Sequence, residues 1–217
     1  MTSLTIPDHD QRSDLGAFVA RVVRLDPAAV VRLRASNGRV TVWAATPFDV
    51  LATRTVHGSM DPADLTATAN GLLTALAVER AETVDPGPAT LWPGVLPPDE
   101  GWTAFDDVPA AELERLTDRG LTVARENAGP HGPPTSLLDQ VVLTVSGNDP
   151  TAGAPAVKVP MRCLFALSGM GFLGPSDSGD PADPVRVSAT GRWLRLDARY
   201  GAVVRRRVTS LPLLVGN

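Results

Sequence analysis

The residues best placed to do chemistry lie in ALSGMGFLGP, Ala166 to Pro175, where Gly169, Gly171 and Gly174 reproduce the G-x-G-x-x-G spacing of dinucleotide-binding loops. In such a loop the glycines let the backbone approach a pyrophosphate, and the amides of the helix that follows bind it. Here Gly174 runs into PSDSGDPADP, which is turn-forming rather than helical. The sequence therefore predicts that these glycines cap and turn the end of an apolar segment, and it calls for no cofactor.

Other chemistry has less support. His9, His57, His131 and Cys163 stand singly, outside any zinc-ligand spacing, so no metal site is expected. The chain has no G-x-S-x-G elbow and no G-x-x-x-x-G-K-[ST] loop. VHGSMD brings His57, Ser59 and Asp61 within one turn, where Asp61 reads as a helix cap rather than a triad member. Asp106-Asp107, Glu112 and Glu114 read as a solvated helix entry. Cys163, amid apolar neighbours, reads as a buried, inert thiol. No catalytic residue is assigned, and the chain is expected not to be an enzyme.

Charge gives a more distinctive signal. The net charge of −4 offers no global attraction to nucleic acid or anionic membrane. Residues 85–149 are acidic, whereas Arg186 to Arg207 holds seven arginines against Asp197 alone. Arg192, Arg195, Arg205, Arg206 and Arg207 are the candidate interaction surface. They would meet either the Asp106 to Asp118 region, in the same or another copy, or phosphates. Arginine supplies every basic residue but Lys158, the usage expected of a high-GC bacterial genome, which lowers the weight of any one arginine. A lone cysteine, no secretory-type start and no apolar run near the roughly 20 residues of a membrane span point to a cytoplasmic protein.

The elements that must position these residues read as follows. Asp14 caps a helix to Leu25, and VVRLRASNGRVTVW is a hairpin turning at Asn37-Gly38. FDVLATRTVHG adds a third strand, and Asp61-Pro62 starts a helix running to Arg80. Residues 85–109, rich in proline, form a connector that Trp92 and Trp102 hold against the rest. A helix then spans Pro109 to Glu126, with Leu113, Leu116, Leu121 and Val123 as its apolar set. Residues 135–146 and 159–169 fit helix or strand, and GPSDSGDPADP is a loop. The closing VRVSATGRWLRLDARYGAVVRRRV repeats the first hairpin unit, with Gly38-Arg39 answered by Gly191-Arg192.

The class is thus α+β: two lobes, each a helix plus a three-stranded antiparallel meander, related by an internal duplication. Their bounds are 1–84 and 110–217, with the connector at 85–109. The function read from this is a non-catalytic interaction protein acting through its sheet and arginine-rich surfaces, with a protein partner or a second copy in a homodimer. The first alternative is a nucleic-acid binder with a degenerate winged-helix region at 109–169 and the arginine hairpin as wing. The second is an enzyme or small-ligand binder with a pocket between the lobes.

Overall fold

The computed structural model describes residues 2–79, 81–127, 134–147, 156–173 and 183–207. The chain runs β1 (Ser3–Thr5), α1 (His9–Leu25), β2 (Val30–Ser36), β3 (Arg39–Thr46), β4 (Val50–His57), β5 (Ser59–Asp61), β6 (Asp64–Thr68), α2 (Ala69–Glu79) and β7 (Thr83–Val84). There follow β8 (Thr103–Pro109), α3 (Ala110–Glu126), α4 (Thr135–Asp139), β9 (Val141–Val145), β10 (Val157–Pro160), α5 (Met161–Gly169), β11 (Pro184–Thr190), β12 (Trp193–Ala198) and β13 (Gly201–Arg206).

One eight-stranded antiparallel sheet organises the fold, in the order β6-β2-β3-β4-β13-β12-β11-β8. Each half is a three-stranded meander flanked on its outer side by a strand from elsewhere in that half: β6 beside β2, and β8 beside β11. The halves meet where β4 pairs with β13. This is the two-lobed α+β class expected, and the mirrored strand order fits an internal duplication. β5-β1-β7 and β9-β10 form smaller sheets.

Alternation sorts the faces. Val31, Leu33, Val40, Val42, Ala44 and Ala52 project inward with Val187, Leu194, Leu196 and Val203, all buried in one core beneath the helices. The helices pack on that inner face, α1 against β4 and α2, and α5 against β13, β4 and α3. Phe18 of α1 stacks on Phe172, with ring centroids 6.2 Å apart.

Several expectations need correction. The first helix is capped by Asp8, whose carboxylate accepts the Gln11 amide at 2.9 Å, so it starts before Asp14. The segment after Pro62 is the strand β6: Leu65 and Ala67 face inward while Asp64, Thr66 and Thr68 alternate with them, and pairing to β2 prevails over the Asp-Pro helix signal. The helix begins only at Ala69. Residues 103–109, assigned to the connector, are β8. Residues 135–146 divide into the short α4 and the strand β9, so the three-helix winged-helix arrangement does not form. Val123 lies outside the buried stripe of α3, which is Leu113, Thr117, Gly120 and Ala124. Small residues there let Met161 of α5 come so close that a Cβ on Gly120 would lie 2.4 Å from its Cε. The GPSDSGDPADP loop falls mostly outside the described residues.

Candidate binding surfaces

The glycine motif ends a helix. Gly169 is the last residue of α5, and Gly171 has φ +62°. The Gly171 amide donates to the Ser168 carbonyl at 2.8 Å and the Phe172 amide to that of Leu167 at 2.9 Å, the paired bonds of a Schellman cap. Gly174 lies outside the described residues. Burial pushes the Cys163 thiol up to about 12, against the smaller opposing influence of Arg205 and Arg162, so it is neither ionised nor accessible. Among the described residues no hydrogen bond joins the side chains of His57, Ser59 and Asp61. No cluster of three metal-ligating groups is found there either.

The five candidate arginines do not share one surface. Arg195 lies on the outer face of the sheet, bonded to Asp197 at 2.6 Å and 5.9 Å from the Trp102 ring centre. Arg192 sits in the β11–β12 turn, where its carbonyl accepts the Arg207 amide. Arg205 faces inward, with Nη2 3.3 Å from Asp139 and 3.7 Å from Asp49. Arg205, Arg206 and Arg207 line a cleft of about 290 Å³ between the end of β13 and the β9–β10 hairpin. Lys158, Asp139, Val141 and Leu194 complete its walls. Of the expected contacts with Asp106 to Asp118, the described residues show one, made by a different arginine: Arg186 grips Asp107 at 2.9 and 3.0 Å. That pair holds the Asp107 carboxyl below its ordinary range. Arg32 grips Asp64 at 2.9 and 2.8 Å in the other half, with the same consequence for Asp64. In both halves an outer-face arginine thus ties the flanking strand to the meander.

Arg162, a lone arginine in the apolar run 159–169, is not among the candidate site residues of the sequence. It is buried in α5 and donates to Asp139 at 2.6 Å and to the Phe48 carbonyl at 2.9 Å. It touches the cleft through Asp139, 23 residues before it in the chain.

A second surface is the outer face of the sheet, which residues 85–102 cross as a strap. The Thr90 amide donates to the Thr66 carbonyl at 2.8 Å. Further on, Asp99 pairs with Arg34 at 3.2 Å and Trp102 lies by Arg195. Trp43, projecting from the same face, is only 5% exposed. Between these anchors the strap turns Leu91 and Val95 outward, 89% and 70% exposed, the two most exposed large apolar side chains among the described residues.

The third surface is the solvent side of the helices. Among residues whose side chains are described, α1, α2 and α3 carry six arginines (12, 21, 24, 115, 119, 125) against six carboxylates (10, 14, 112, 114, 118, 126). A surface that follows a nucleic-acid backbone needs a surplus of cations, and this one has none.

The profile of a family described as Domain of unknown function (DUF8185) matches residues 97–210, and that of Domain of unknown function (DUF8010) matches residues 1–94. The chain belongs to the DUF8185 family, whose profile covers more than half of it. No curated protein matches the sequence significantly. Solved structures with a similar fold include the beta sliding clamp of Caulobacter crescentus, at 17% identity and a TM-score of 0.59, over 97% of this chain and 66% of that one. The DNA polymerase sliding clamp of Pseudomonas aeruginosa aligns at 15% identity and a TM-score of 0.57, over 97% and 66%. The DNA polymerase III beta subunit of Thermotoga maritima gives 13%, 0.56, and 97% and 65%. The chain therefore spans about two thirds of the length of these clamp chains and has a sliding-clamp-like fold. Among the described residues no helix is long and apolar enough to cross a membrane.

Proposed function

We propose that this member of the DUF8185 family is a non-catalytic, cytoplasmic interaction scaffold with a clamp-like fold, which docks a protein partner on the strapped outer face of its sheet. The observation that carries this reading is the presentation of Leu91 and Val95. A segment pinned at Thr90 and again at Asp99 and Trp102 holds two apolar side chains in water. Apolar groups held out in this way gain by burial in a partner, and a pinned segment loses little further entropy on docking. The partner that fits presents an apolar pocket. The balanced charge of the helices supports a protein partner over nucleic acid wrapped by that layer.

The test compares wild type with a Leu91→Asp/Val95→Asp variant as affinity baits in the source cell. Each recovered protein is then purified and titrated against both forms of the chain. The expected result is a stoichiometric partner whose binding to the variant falls at least tenfold. Equal binding to both forms would remove the strap from the account.

The second reading is a nucleic-acid-associated role, favoured by Lys158, Arg206 and Arg207, for which no carboxylate partner is found among the described residues. It requires salt-sensitive duplex binding through those residues.

A further inference from the structure

We infer that the cleft between β13 and the β9–β10 hairpin is a binding site for a small polyanion of the pyrophosphate type, free or esterified to an organic group. The cleft is lined by four cations, Lys158, Arg205, Arg206 and Arg207, against one carboxylate, Asp139, and the buried Arg162 pairs with Asp139 and with Asp49. Those carboxylates are already shared. Asp139 Oδ1 accepts from Arg162 at 2.6 Å and from Arg205 at 3.3 Å, and Asp49 stands 3.6 and 3.7 Å from the same two groups. Crowding like charges in one cleft costs free energy that a compact ligand of high negative charge removes.

Two further observations bear on the site. Arg205 Nε is buried without an acceptor among the described residues, although its side chain is part of the cleft wall. A buried donor in that state costs free energy, which marks Arg205 as incompletely satisfied by Asp139 and Asp49. Lys158, the one lysine among twenty basic residues, stands at this cleft. Arginine fills the other nineteen positions, and an ammonium with three rotatable donors adds a point contact that a planar guanidinium does not.

The gathering of charge in about 290 Å³ favours a compact polyanion over an acidic peptide, whose carboxylates on one side of an extended chain recur only about every 6–7 Å. Val141, Pro160 and Leu194 give an apolar wall on which an organic group can rest.

The experiment is calorimetric titration of the full chain with inorganic pyrophosphate and, separately, with ADP, with sodium chloride adjusted to constant ionic strength. The expected result is saturable one-site binding that falls at least tenfold in a Lys158→Ser/Arg206→Ser variant. Both residues are exposed, so the variant should melt where wild type does. ADP binding tenfold tighter than pyrophosphate would identify an esterified ligand, and comparable affinities would identify the bare diphosphate group; either supports the site. Heats matching the salt control, or equal affinity in the variant, would overturn it. So would duplex DNA binding at these residues that pyrophosphate does not displace. The strap variant leaves this cleft intact, so failure here is distinguishable from failure of the docking proposal.

Discussion

The two strands that meet at the centre of the sheet pair around Ala52 and Val203, and two residues beyond on each stands an inner-face arginine, Arg54 or Arg205. Their fates differ. Arg54 reaches Asp14 of α1 at 2.5 Å and the Arg199 carbonyl at 3.4 Å, so it ties a helix to the sheet. Arg205 shares an aspartate with Arg162 and keeps a buried Nε without an acceptor among the described residues. Corresponding places in the two halves thus serve packing on one side and leave charge over on the other. The proposed site rests on that leftover charge rather than on the arginine count.

This contrast can be broken or sharpened by substitution. The largest effect is expected at Gly201, which opens β13 with φ +155° and where a Cβ would lie 2.5 Å from Phe172 and 2.9 Å from the Thr53 carbonyl. Gly201→Ala should cost about 2–4 kcal/mol. In the β2–β3 turn of the other half, Gly38→Ala adds strain at φ +70° but no clash, and should cost about 1–2 kcal/mol. Urea denaturation measures both. Next comes Arg162→Met, which takes a buried donor from the Phe48 carbonyl and leaves Asp139 with Arg205 alone. About 2–3 kcal/mol is expected, on the order of 5–10 °C in melting temperature. Arg54→Met should cost about 0.5–1 kcal/mol, because Asp14 is half exposed. Arg205→Met should be neutral or slightly stabilising by the same melting assay. A loss at Arg205 equal to that at Arg54 would erase the distinction between the halves.

The smallest effect is in pH. Asp64 and Asp107 are held below their ordinary range by hydrogen bonds from Arg32 and Arg186, so each favours the folded state above the unfolded carboxylate pKa of about 4. That contribution fades as pH falls through the lower folded values. Urea midpoints at pH 7, 4 and 3 should drop, and Asp64→Asn/Asp107→Asn should flatten the drop.

The local signals in the sequence were good where chain neighbours decide the structure. Asn37 and Gly38 take φ +51° and +70°, as a tight hairpin requires, and Gly171 closes α5 as its spacing from the apolar run implied. β6 is masked in the sequence although Leu65 and Ala67 alternate with polar residues, because Asp61-Pro62 resembles a helix start and the very apolar α2 follows without a break. β8 was hidden by the prolines before it and by its own polar, exposed face, the pattern of a flanking strand. The arginine tail stands out in the sequence, but its division between two faces depends on register. The cleft could not be read, since Asp139 and Arg205 lie 66 residues apart and their meeting depends on how β9–β10 packs. The strap is similar: its tryptophans announced packing, but not that Asp99 would find Arg34.

The most direct measurement is fluorescence anisotropy of a labelled DNA duplex against salt, using wild type and an Arg119→Ser/Arg125→Ser variant of the α3 surface. A protein-docking scaffold with a charge-balanced helical layer should show no saturable duplex binding at about 50 mM salt, and the variant should be indistinguishable from wild type. Micromolar or tighter binding, with a slope of log affinity against log salt that shrinks by about two in the variant, would mean that the helices follow phosphates and would contradict the account.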